Sequence, residues 1–139
     1  MADARPGIMD ICLGCDDLAR SIRFYDAVMP VVGLSRLPDA PKGWAGWGPA
    51  KGTGLWLCPP FNGQPASAGN GTMVTFRAES AAQVRGFHAA ALAHAGADEG
   101  APGTRPGYDP AFYVAYVRDP NGHKLACAFT AYDATEDRS

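Results

Sequence analysis

Apolar residues fall along this chain with two different spacings, and the change from one to the other happens twice. From Ile8 to Cys15 they form a short run interrupted by one acid, Asp10, which predicts a strand. From Leu18 the interval lengthens. Leu18, Ile22, Tyr25 and Met29 recur every third or fourth residue and predict a helix with a single apolar stripe. Asp17 stands where a carboxylate can accept from the free amides of the first turn, and Pro30 stops the helix because it has no amide to donate. Short strands are predicted at 34–37, 44–47 and 55–58, parted by Pro-Asp-Ala-Pro and Gly-Pro-Ala-Lys-Gly turns. Residues 59–71, rich in Gly, Pro, Ser and Asn, read as a linker.

The pattern then starts again at a constant offset of 63 residues, with Phe24 over Phe87, Ala27 over Ala90 and Gly33 over Gly96. A strand at 72–77 leads to Ser80 and Gln83, which have capping-box spacing. A helix follows with Val84, Phe87, Ala91 and Leu92 on one face, ending near Gly96. Residues 101–110 hold three prolines and two glycines and read as a loop. Strands at 111–118 and 124–129 flank the tight turn Asp119-Pro120-Asn121-Gly122, and the polar tail from Asp133 is expected to fray. A strand–helix unit that cannot bury its own apolar face has to pack against its twin, so the seam between the copies is the place to seek a pocket.

Bulk properties narrow the class. With 139 residues, 47% hydrophobic and 19% charged, the chain is one globular domain. A net charge of -2 gives no electrostatic reason to expect nucleic acid or an anionic membrane as partner. No apolar run is long enough for a signal peptide or a membrane span, so a cytoplasmic location is expected. Cys12 and Cys15 have zinc-like spacing, but side chains three apart on a strand point to opposite faces, and no second pair follows. All four cysteines, with Cys58 and Cys127, are expected to be buried apolar side chains.

The stretch from Asp17 through Leu18, Ser21, Phe24 and Tyr25, together with Asp119-Pro120-Asn121-Gly122-His123-Lys124-Leu125, resembles the vicinal oxygen chelate superfamily. That group includes glyoxalase I, bleomycin-resistance proteins and extradiol dioxygenases. The resemblance covers roughly Ile8 to Thr130. It implies an α+β fold of two βαβββ modules, about 8–59 and 72–130, forming a cupped, barrel-like mixed sheet with helices outside. It also implies a homodimer.

Most of the family holds a divalent metal with His and Glu. The positions that the resemblance assigns to those ligands carry Asp10, Met73, Ala126 and, near the fourth strand, Trp56. A lone carboxylate, a thioether and a methyl group do not make such a site. His88, His94 and His123 lack ligand-like spacing and are expected at the surface or in a second layer. No metal and no cofactor are therefore expected. Lactoylglutathione lyase activity, whose enediolate needs the metal, is disfavoured.

Strand alternation from those positions gives an inward set of Asp10, Cys12, Trp56, Cys58, Met73, Thr75, Phe112, Val114, Tyr116, Ala126 and Ala128. Mostly apolar walls with a few polar groups suit a small organic molecule. Arg105, Tyr108 and Asp109 are placed as a lid over the mouth. Asp10 is the candidate for proton chemistry, because a carboxylate in apolar surroundings can serve as a base, and Tyr116 could orient a bound oxygen. Trp44, Trp47 and Trp56 can stack a ligand or fill a core. The leading expectation is a metal-independent binder of a small molecule. The alternatives are an enzyme with an unrecognised metal site or one using Asp10, and a structural or regulatory dimer with a closed cavity.

Overall fold

The computed structural model describes residues 5–137. Its elements run β1 (Asp10–Gly14), α1 (Leu18–Val28), β2 (Ser35–Arg36), β3 (Ala45–Gly48), β4 (Gly54–Cys58), β5 (Met73–Arg77), α2 (Ala81–Ala93), β6 (Ala97–Gly103), β7 (Tyr113–Arg118) and β8 (Lys124–Phe129). They make two mixed sheets of four strands, ordered β1-β4-β3-β2 and β5-β8-β7-β6. In each, the first strand runs parallel to the last and the others pair antiparallel. This is the expected α+β repeat. Among the described residues no strand of one sheet pairs with a strand of the other, so the strands do not close into a barrel.

Both helices begin as the sequence dictates. Asp17 accepts from the Arg20 amide at 3.1 Å, and the Ser80 hydroxyl accepts from the Gln83 amide at the same distance. The return bond of the capping box goes one residue early, from the Glu79 amide to Gln83 Oε1 at 2.8 Å. Pro30 ends α1 but lies inside a 3₁₀ turn, Met29–Val32, where its fixed φ is tolerated.

The helix α1 packs on β3 and β4, α2 packs on β6, β7 and β8, and the two helices pack on each other. One core therefore runs through both modules, from Leu13, Phe24, Trp47 and Leu57 to Val84, Phe87, Val117 and Leu125. Burying one face of each sheet in this way leaves the opposite faces to be covered separately.

Three expectations are corrected here. Residues 97–103, inside and ahead of the predicted loop, form β6. It is an edge strand with register shifts on either side of Gly100, and an edge tolerates Pro102 because one side of the strand has no partner. The tail is docked as far as Asp137: Arg85 grips the Asp137 carboxylate with two bonds of 3.1 Å, and the Tyr132 hydroxyl donates to the same group at 3.0 Å. Leu92, expected on the apolar face of α2, is exposed. Among the described residues no helix is long and apolar enough to cross a membrane.

Candidate functional site

Strand parity sorts the expected pocket onto two surfaces. On the first sheet Ile11, Leu13, Leu55 and Leu57 go to the core, so Asp10, Cys12, Trp56 and Cys58 point to the open face. On the second, Val74, Phe76, Leu125 and Cys127 go to the core, and Met73, Thr75, Val114, Tyr116, Ala126 and Ala128 share the other face. The single cavity expected from the sequence is thus split between two separate sheets.

The first face holds a groove of about 910 Å³ whose wall includes Met9, Asp10, Leu37, Trp44, Gly54 and Trp56. Its floor is built by Trp56 lying against glycine. A Cβ added to Gly46, its partner on β3, would stand 2.4 Å from the indole, and one on Gly54 would stand 2.9 Å from Nε1. Trp44 meets Trp56 edge to face at 6.5 Å between centroids. The third tryptophan belongs to the core: Trp47 is buried and donates through Nε1 to Asp26 at 2.9 Å. Asp10 is exposed, so the apolar surroundings expected of a buried base are not those it has.

The cysteines divide likewise. All four are free; Cys15 and Cys127 are buried, whereas Cys12 is exposed and Cys58 half-buried, correcting the expectation of four core thiols. Burial pushes the Cys127 thiol up to about 12. Burial also raises the Cys12 thiol, helped by the neighbouring Cys58 and Asp10.

On the second face, Val114, Ala126 and Ala128 form a small buried cluster of their own, covered by Phe112 and Tyr116. The segment expected as a lid is held by local bonds. Asp109 accepts from the Ala111 amide at 2.8 Å, an Asx turn that is exposed, and Tyr108 packs against Phe112 with the rings tilted and their centres 5.8 Å apart. Arg105 donates to the carbonyls of Ala101, Gly103 and Thr104 and sits 5.5 Å from the Tyr116 ring centre. Burial and the Tyr108 hydroxyl beside it raise the Tyr116 phenol above its usual range.

The four positions aligned with a metal site do not meet. Asp10 and Trp56 face outward from one sheet, Met73 and Ala126 from the other, and Ala126 is buried with no donor atom on its side chain. Their chemistry does not fit a divalent ion. Among the described residues no group of three or more His, Cys, Asp or Glu is placed to hold one. His88 pairs with Asp98 at 2.9 Å and His94 bonds the Ala90 carbonyl. His123 is buried and donates through Nε2 to the Gly14 carbonyl at 2.7 Å, so it is a structural bolt, not a surface residue.

That bolt belongs to a network missed by motif reading. Asp119, buried, accepts from the Tyr25 hydroxyl at 2.6 Å and from the amides of Asn121 and His123 at 2.9 Å each. Asn121 donates to Ser21 at 2.9 Å. The helix signature and the turn signature are thus two halves of one contact between modules. The signal available was the pairing of a stripe tyrosine with a buried turn acid.

Comparison with known proteins agrees with this fold. The model of the Glyoxalase/Bleomycin resistance protein/Dioxygenase superfamily matches residues 7–127. A glyoxalase/bleomycin resistance protein from Albidiferax ferrireducens is 34% identical, with a TM-score of 0.78 over 88% of this chain and 97% of its own. A glyoxalase-related enzyme from Fulvimarina pelagi is 22% identical (TM-score 0.70, 88% and 87% covered). A lactoylglutathione lyase from Agrobacterium tumefaciens is 23% identical (TM-score 0.62, 90% and 94% covered). At those two identities the likeness concerns the fold alone. No curated protein matches the sequence.

Proposed function

The chain belongs to the Glyoxalase/Bleomycin resistance protein/Dioxygenase superfamily, and from that premise we propose that it binds a small, flat, largely apolar organic molecule without a metal. The observation that carries this reading is the Trp56 indole spread over Gly46 and Gly54 in the wall of the 910 Å³ groove. A volume of that size takes a ligand of several rings, and an indole with Trp44 at its edge offers it a stacking surface. Asp10, on the same wall, gives the ligand an acceptor to orient against. The protein acts as a homodimer in the cytoplasm. Exposed Ile8, Met9 and Met73 beside the edge strands β1 and β5 give a second copy an apolar contact. Free cysteines suit a reducing compartment.

The test is indole fluorescence during titration with uncharged bicyclic aromatic compounds, with a melting curve for each. Binding quenches the emission and raises Tm. Trp56→Leu removes the effect while the fold is kept, and Gly46→Ala, whose methyl group takes the place of the indole, weakens it. No quenching and no melting shift across the series would leave the groove without a ligand role.

A further inference from the structure

We infer that Cys12 and Cys58 form a two-thiol site for one soft monovalent ion, copper(I), on the open face of the first sheet. The placement follows from the register of β1 against β4. Cys12 pairs with Trp56, and Cys58 pairs with Gly14 two positions along, so the thiols stand diagonally on one face. The Cys58 thiol is a hydrogen-bond partner of the Cys12 thiol. Diagonal neighbours on adjacent strands keep their Cα atoms roughly 7–8 Å apart. A disulfide does not bridge more than about 7 Å without backbone movement. A metal ion reaches further. With each metal–sulfur bond about 2.3 Å long, an ion held between two sulfurs spans roughly 4.6 Å, against about 2.05 Å for a sulfur–sulfur bond.

The donor set selects the ion. Both cysteines are free, Cys12 exposed and Cys58 half-buried. Among the described residues no third His, Cys, Asp or Glu is placed to complete a larger cluster. Strand parity turns Cys15 into the core, and His123 spends Nε2 on the Gly14 carbonyl. Structural zinc takes four ligands. Thiolates select copper(I), whose filled d shell accepts two donors in line. Asp10, two residues before Cys12 on the same face, is a hard donor that this ion does not seek.

The loop between the modules shelters one end of the pair. A Cβ on Gly14 would stand 3.2 Å from the Ala66 Cβ and 3.4 Å from the Pro60 Cγ, so the loop presses on β1 beside Cys58. Asp16 pins it there by accepting from the Ala66 amide at 2.8 Å. The open approach for an ion is therefore from the Cys12 side. Neither cysteine lines the tryptophan groove, so the two sites are distinct. Binding displaces both thiol protons: one copper(I) ion and two thiols give a bis-thiolate of charge -1 and two protons. The reducing conditions that keep thiols free also keep copper in this oxidation state.

The experiment is anaerobic titration of the reduced full chain with copper(I) against bicinchoninate, whose coloured complex reports the copper it keeps. One ion per chain should be withdrawn from the chelator. X-ray absorption at the copper edge should show two sulfur neighbours at about 2.3 Å. Cys12→Ser and Cys58→Ser should each weaken binding roughly a hundredfold or more, because the second thiolate acts as a tethered donor. Asp10→Asn should leave it unchanged. Melting curves of the serine variants show that they fold. Failure to take copper from bicinchoninate overturns the inference, as does a loss under about threefold in either serine variant. One ion per two chains, or a loss in Asp10→Asn, also overturns it. Copper kept in Cys12→Ser and lost in Cys15→Ala would put the ion on a different pair and likewise overturns it.

Discussion

Asp119 does more than close a turn. Its two oxygens accept from a tyrosine hydroxyl and two backbone amides in a buried place, so removing it orphans all three donors together. Asp119→Ala is expected to cost ~3 kcal/mol or more, lowering Tm by ~10 °C in thermal unfolding followed by circular dichroism. Tyr25→Phe, which leaves the amides bonded but strips the buried Asp119 Oδ2 of its hydroxyl donor, should cost less, about 2 kcal/mol. Equal losses in the two variants would mean that the amide bonds contribute nothing. At this scale the sequence was legible where partners are close: the Asp17 and Ser80 caps reach three residues along the chain. The Tyr25–Asp119 bond spans 94 residues, and helical spacing showed only that Tyr25 faces inward. His123, expected at the surface or in a second layer, lies buried, and nothing local in the sequence points to its partner, a carbonyl 109 residues away.

Among the elements, both helices were readable because an apolar stripe and a cap act together. The strand β6 was not, because Pro102 and two glycines (100 and 103) carry a turn composition; its pairing with β7 overrides that local preference. Docking of the C-terminal segment depends on the Arg85–Asp137 clamp. Bonding to Arg85 lowers the Asp137 carboxyl below its ordinary value. A group depressed in the folded state adds stability above its unfolded pKa and loses it as pH falls through the folded one. The segment should therefore stay protected at neutral pH and loosen below about pH 3.9. Hydrogen exchange over residues 131–137 reads this, and Arg85→Ala should bring the loosening to neutral pH with little change in global Tm. Unchanged exchange in that variant would show that Tyr132 packing on Tyr113, at 4.5 Å, holds the segment by itself.

For the molecule as a whole, the repeat announced two modules but not the way they meet. Periodicity tells which face of a strand is apolar; it does not tell which neighbour will cover it. Here the helices and the inner sheet faces share one core across both modules, and the candidate pocket residues were correspondingly sorted onto two outer faces. A shared core should unfold as one unit. Scanning calorimetry is expected to show a single transition with matching calorimetric and van't Hoff enthalpies. Two resolved transitions would mean that the modules are stable apart.

The paired strands also carry their bulk in opposite senses. Gly46 on β3 faces Trp56 on β4, whereas Tyr116 on β7 faces Ala126 on β8. Each large ring is balanced by a small residue on its own neighbouring strand, so either half can change its ring through two linked substitutions without involving the other half. A duplicated ancestor built this way is free to diversify. Its twin surfaces can come to recognise different chemistry while the interior they share stays under common constraint.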